Sequence, residues 1–207
     1  MTHQPAISFS NSFHFPFNRA GGRTFDVLQE MDFTYFADPI DFAYMAESDA
    51  ECHFCKSSGD CLDGGNLSGL ETITAVCLSC LKAGRLVELD ISTNQILKSA
   101  LDPKLGDPVS ISNEIVYCTP SLPTWQDSFW PIKNGRPYRF LKIASKRDYA
   151  SKEEFLDSLH DCDDDDTDRL WDMLPEHAIR NMKEGQYDMS FYLFDFEGDK
   201  LTVWDAN

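Results

Sequence analysis

A chain of 207 residues is long enough for one large domain or two small ones, and 42% hydrophobic residues with 15 phenylalanines exclude a generically disordered protein. The formal charge is −17, spread as −7 over residues 1–100 and −10 over residues 101–207. Nucleic-acid binding needs lysine and arginine to displace condensed counterions, so this surface disfavours DNA and RNA and favours a partner protein with a basic surface.

Residues 1–30 read as an N-terminal arm carrying Phe9, Phe13, Phe15 and Phe17. A secretory signal would show a basic stretch followed by an apolar one, and this segment shows neither. No apolar run approaches the ~20 residues of a membrane-spanning helix, so the expected location is the cytoplasm, without membrane contact. Residues 31–110 hold the paired cysteines. Within them, 33–36 reads as a short strand that stops at Asp38 and Pro39, and 86–89 as another that follows a turn at Gly84. Residues 99–110, with Pro103, Gly106 and Pro108, read as a connector.

The third part, 111–207, alternates strand and helix signals. Residues 114–118 predict a strand ended by Pro120, and Trp125 and Trp130 flank a short helix or turn. Residues 139–144 predict a strand. Ser151 and Glu154 have capping-box spacing, which starts a helix over 152–160. A second helix is expected from Thr167 through Leu170, Trp171, Leu174, Ile179 and Met182, broken or kinked at Pro175. Residues 190–196 and 200–204 predict two strands joined through Glu197, Gly198 and Asp199. The class is α+β: a small four-cysteine zinc-knuckle module, then a mixed antiparallel-sheet and helix part.

The strongest motif is Cys52-x-x-Cys55, 21 intervening residues, then Cys77-x-x-Cys80. Each short turn puts two thiolates on one loop, and two such turns close a tetrahedron around zinc. The usual spacer is about 15–20 residues, and loop closure changes so slowly with length that one more residue is no obstacle. A redox pair needs only one such turn, and seven cysteines without a signal segment argue against a secreted disulfide framework. His53 or Cys61 could replace one ligand. Cys118 reads as a core thiol and Cys162 as a surface thiol.

Residues 153–168 contain 9 acidic residues and no lysine or arginine. Asp161, Asp163, Asp164, Asp165 and Asp166 form its centre, either a solvated loop or a patch for a basic partner. A calcium loop fails there, because its sixth position is Asp166 rather than glycine and its twelfth is Asp172 rather than glutamate. His160 beside Cys162 is too close in sequence to form a catalytic pair. No P-loop, GxSxG, HExxH or GxGxxG pattern occurs, so the expectation is a binding protein and not an enzyme. Trp125, Trp130, Trp171 and Trp204 are expected in the core, and an exposed one would be an interface anchor.

Together these residues resemble a known family. Residues 33–36 with Asp38 and Pro39, the two cysteine pairs with Leu78, Ser79 and Gly84, and then Thr119, Pro120, Pro123, Thr124, Trp125, Gln126, Trp130 and Pro131 resemble the bacterial CbrC family, named for a colicin-tolerance protein. The closing Trp204 and Asp205 continue the likeness, which covers about residues 32–207. The resemblance implies a cytoplasmic immunity protein that neutralises a bacterial antagonistic toxin such as a nuclease, with Cys52, Cys55, Cys77 and Cys80 on a structural zinc ion. It supplies no catalytic residue. The other readings are a zinc-dependent enzyme, which needs a vacant coordination position, and a zinc-ribbon adaptor in transcription. The N-terminal arm and the acidic segment depart from the short members of that family.

Overall fold

A computed structural model describes residues 32–125, 128–160, 167–185 and 187–206. The arm over 1–30, Gln126, Cys162 and the acidic residues Asp161, Asp163, Asp164, Asp165 and Asp166 lie outside the described residues. Met31–Asn207 form one compact unit.

In chain order the first elements are α1 (Pro39–Phe42), β1 (Cys61–Asp63), β2 (Ala75–Cys77) and α2 (Leu78–Lys82). Next come α3 (Pro108–Cys118), β3 (Ile132–Lys133), β4 (Arg136–Pro137) and β5 (Arg139–Ile143). The chain closes with α4 (Lys152–Ser158), α5 (Thr167–Met173), β6 (Met189–Phe196) and β7 (Asp199–Ala206). This is an α+β arrangement of small antiparallel sheets and short helices. Among the described residues, no helix is long and apolar enough to cross a membrane.

The scaffold is a three-stranded antiparallel sheet ordered β5-β6-β7. β6 and β7 pair from Met189 opposite Ala206 to Phe196 opposite Asp199. The turn between them places Glu197 and Gly198 at φ of 53° and 87°, the left-handed pair that matches the twist of a tight hairpin. Strand alternation then sorts the apolar residues onto two faces. Tyr192, Phe194 and Leu201 join the larger core, which also contains the cysteines. Phe191 and Leu193 face the other way, onto Phe155 of α4 and Leu170 of α5. A bulge at Leu141 shifts the β5 register, so Phe140 and Ile143 both enter the larger core although they are three apart. The rings of Phe140 and Phe194 lie 5.4 Å apart, and Phe36 meets Phe140 at 4.7 Å. Each of these fully buried phenylalanines contributes roughly 1.5–3 kcal/mol through area removed from water.

Several predicted elements differ. Residues 33–36 do not form a strand. Phe36 makes one parallel bridge to Phe140, where Phe140 N–H donates to the Tyr35 carbonyl at 2.8 Å. Residues 86–89 belong to a 3-10 helix, Arg85–Leu89, entered through Gly84 at φ 72°. Residues 114–118 are helix and not strand, and part of the expected connector is the first turn of the same helix, α3. Asp107 caps that helix: its carboxylate accepts from the amides of Val109 (3.3 Å) and Ser110 (3.0 Å), and Pro108 occupies the first turn. A cap with proline behind it outweighs the strand preference of Ile115 and Val116. The helix from Thr167 ends at Met173, two residues before Pro175, whose missing N–H and bulk stop it. Ile179 is still buried, though outside the helix.

The predicted hairpin and the helix start at Ser151 are present. The Ser151 hydroxyl accepts from the Glu154 amide at 3.3 Å. Among the tryptophans, Trp130 is buried, with its indole N–H donating to the Tyr138 carbonyl at 2.8 Å. Trp125 departs from the expected core position and is 61% exposed, with its backbone amide held by the Asp205 carboxylate at 2.8 Å. Trp204 is also exposed. The larger core crosses residue 110, drawing Leu86 and Ile91 from one side and Ile115, Leu122 and Phe140 from the other.

Candidate metal centre

The first cysteine pair lies on a tight hairpin. Glu51 bridges Ser58, the Cys52 amide donates to the Ser57 carbonyl at 2.8 Å, and the Lys56 amide returns to the Cys52 carbonyl at 3.0 Å. Lys56 adopts φ 60° to close the turn. The second pair spans a strand-to-helix junction. Cys77 ends β2 and caps α2, and its Sγ accepts from the Cys80 amide at 3.4 Å. Short β1–β2 pairing, with Cys61 opposite Cys77, holds the junction in place. One backbone bond ties the two halves together, from the His53 amide to the Ala75 carbonyl at 2.8 Å.

The result is one cluster. The Sγ atoms of Cys52, Cys55, Cys77 and Cys80 all lie within 4.8 Å of one another. Cys55 Sγ and Cys77 Sγ are 3.6 Å apart, far beyond a disulfide bond, and the cysteines are free thiols. A tetrahedral ion with bonds of about 2.3 Å to sulfur requires sulfur–sulfur edges of about 3.8 Å, so the donor set fits a metal ion. Cys52, Cys77 and Cys80 are buried, and Cys55 is exposed at the rim.

Local groups prepare the thiolates unevenly. The Ser57 hydroxyl, 2.9 Å from Cys55 Sγ, and the Ser57 amide pull the Cys55 thiol down to about 6. Burial pushes the Cys77 and Cys80 thiols up. For Cys52, burial is opposed by the amides of Cys55, Cys77 and Phe54, which together lower it. A positive charge stands close by: the Arg85 guanidinium lies 4.8 Å over the Phe54 ring and pairs with Glu88. Arg85 is held in its charged form chiefly by Glu88.

The proposed substitutes stand outside the cluster. His53 is exposed, with its ring edge-on to Phe54 at 5.1 Å. Cys61 is buried beside the cluster, and its thiol donates to the Gly59 carbonyl at 3.4 Å. Cys118 is half-buried under Gly84, where a side chain at that glycine would come within 3.3 Å of its sulfur. Sequence reasoning missed Ser57 and Arg85. Ser57 carries a weak signal, two residues past Cys55. Arg85 carries none, because its place over Phe54 depends on the path of the chain between them.

No curated protein and no solved structure matches the chain. A family model does, over residues 31–197, a span that includes all four clustered cysteines and strands β5 and β6 of the central sheet. With that match across most of its length, the chain belongs to the uncharacterised protein family UPF0167.

Proposed function

We propose that Cys52, Cys55, Cys77 and Cys80 hold a structural zinc ion, and that the protein is a stoichiometric immunity protein that neutralises a bacterial antagonistic toxin in the cytoplasm. The observation that carries the metal reading is the four-sulfur cluster itself. Four thiolates around one ion leave no coordination position for a substrate, which supports a structural and not a catalytic ion. The ion would supply folding free energy by tying the 51–58 hairpin to the β2–α2 junction. The resemblance to the CbrC family supports the immunity reading, and the charge of −17 suits a toxin with a basic surface, such as a nuclease.

Two measurements test this. Elemental analysis should give one zinc per chain, and Cys77→Ser should lower metal content and melting temperature together. Iron in place of zinc, or zinc loss with unchanged melting, would overturn the structural-zinc reading. The protein should also form a one-to-one complex with the toxin encoded beside its own gene at micromolar concentration, and should suppress that toxin's activity in proportion. Absence of a complex would remove the immunity reading while leaving the metal reading intact.

A further inference from the structure

Away from the cysteines, a cavity of about 300 Å³ opens between the segment before α1, the start of α3 and the β4–β5 strands. Tyr35, Leu105, Ile111, Arg136, Arg139 and Phe196 line it. Two arginines in one cavity stand out in a chain with 18 basic and 35 acidic residues. Arg136 is positioned, its guanidinium 4.7 Å over the Phe196 ring. Arg139 already shows what it takes: its Nη2 donates to the Asp32 carboxylate at 2.7 Å. The Asp32 side chain is itself 77% exposed, and its carboxylate meets Arg139 through that one nitrogen. Arg139 Nε is buried and has no acceptor among the described residues.

We propose that this cavity binds a small carboxylate with an aromatic or branched aliphatic body. Its acid group joins or replaces Asp32 on Arg139 and is shared with Arg136, and its body packs on Leu105, Ile111 and Phe196. A planar guanidinium presents parallel donors that match a carboxylate with two bonds, and Asp32 uses one of them. The volume lies at the small end of ligand sites, about 300–1,000 Å³, which suits one ring rather than a nucleotide. Phosphate is the poorer fit. The first turn of α3, which reaches the cavity through Ile111, has its Val109 and Ser110 amides taken by Asp107. The net charge does not forbid the ligand, since exposed charges beyond about 8 Å are screened at physiological salt, while the two arginines act at contact.

The test is titration of the full chain with benzoate, phenylacetate and 3-methylbutanoate, followed by calorimetry and amide chemical shifts. Benzamide and phenyl phosphate serve as the uncharged and phosphate controls. At least one carboxylate should bind saturably in about the millimolar range or tighter, and more tightly than its control. Arg136→Gln and Arg139→Gln should each weaken it roughly tenfold, the loss of one charged hydrogen-bond partner. Asp32→Asn should strengthen it by freeing the guanidinium, which is an effect that damage to the fold would not produce. Failure of all three carboxylates to saturate by about 10 mM overturns the proposal. So does equal binding of benzamide, tighter binding of phenyl phosphate, or unchanged affinity, in both arginine variants, for the carboxylate that binds. The outcome is independent of the metal and of the toxin.

Discussion

Cys61 marks the edge of the metal centre. It lies opposite Cys77 in the β1–β2 pairing and is as buried as Cys52, Cys77 and Cys80. Yet its thiol is turned to the Gly59 carbonyl. Burial pushes that thiol up to about 11, and the neighbouring Cys52, Cys77 and Cys55 thiolates push the same way. Its sulfur stands outside the four-sulfur cluster and is engaged with a carbonyl, so Cys61→Ser should leave the metal-to-protein ratio unchanged, in contrast to Cys77→Ser. Elemental analysis of the two variants checks it, and metal loss in Cys61→Ser would mean that the ligand set is drawn wrongly. The four clustered cysteines were legible because a repeated two-residue spacing is local chemistry. The exclusion of Cys61 was not legible, because its thiol direction depends on strand pairing with residues sixteen positions away.

At the scale of elements, α3 and the β6–β7 hairpin give opposite lessons. The hairpin follows from strict alternation and a turn that tolerates left-handed residues, and it forms where its sequence says. Residues 114–118 have strand-forming side chains and still form a helix, because Asp107 and Pro108 begin it six residues upstream. Removing the cap tests that account. Asp107→Ala should lower the melting temperature at pH 6 by roughly 2–4 °C, as a lost N-cap does in a chain of this size. The sign with pH follows from the carboxyl, which bonds from the Ser110 hydroxyl and amide hold below its ordinary 3.8. Its contribution is present above pH 3.8 and is lost as pH falls through the depressed value, so wild type and variant should converge in acid. A difference that does not shrink as the pH falls below 3.8 would mean that the aspartate acts through something other than its charge.

At the scale of the whole molecule, the four-cysteine segment and the sheet share one core. Cys52, Cys77 and Cys80 belong to the same buried cluster as Phe36, Phe140, Tyr192 and Phe194. A strong chelator should therefore lower the stability of the entire unit, and calorimetry should show one transition displaced to lower temperature. Two separate transitions, with only one sensitive to the chelator, would show that the cysteine segment folds independently. By itself the sequence determined which four cysteines cluster, the α+β class, the terminal hairpin and the start of α4, since each is written in spacings of a few residues. Only the tertiary structure decided which buried cysteine stands outside the cluster, that Trp125 faces water, that α3 is a helix, and that Arg136 and Arg139 meet around one cavity. Those outcomes depend on contacts between distant segments, where burial and chain path override local preference.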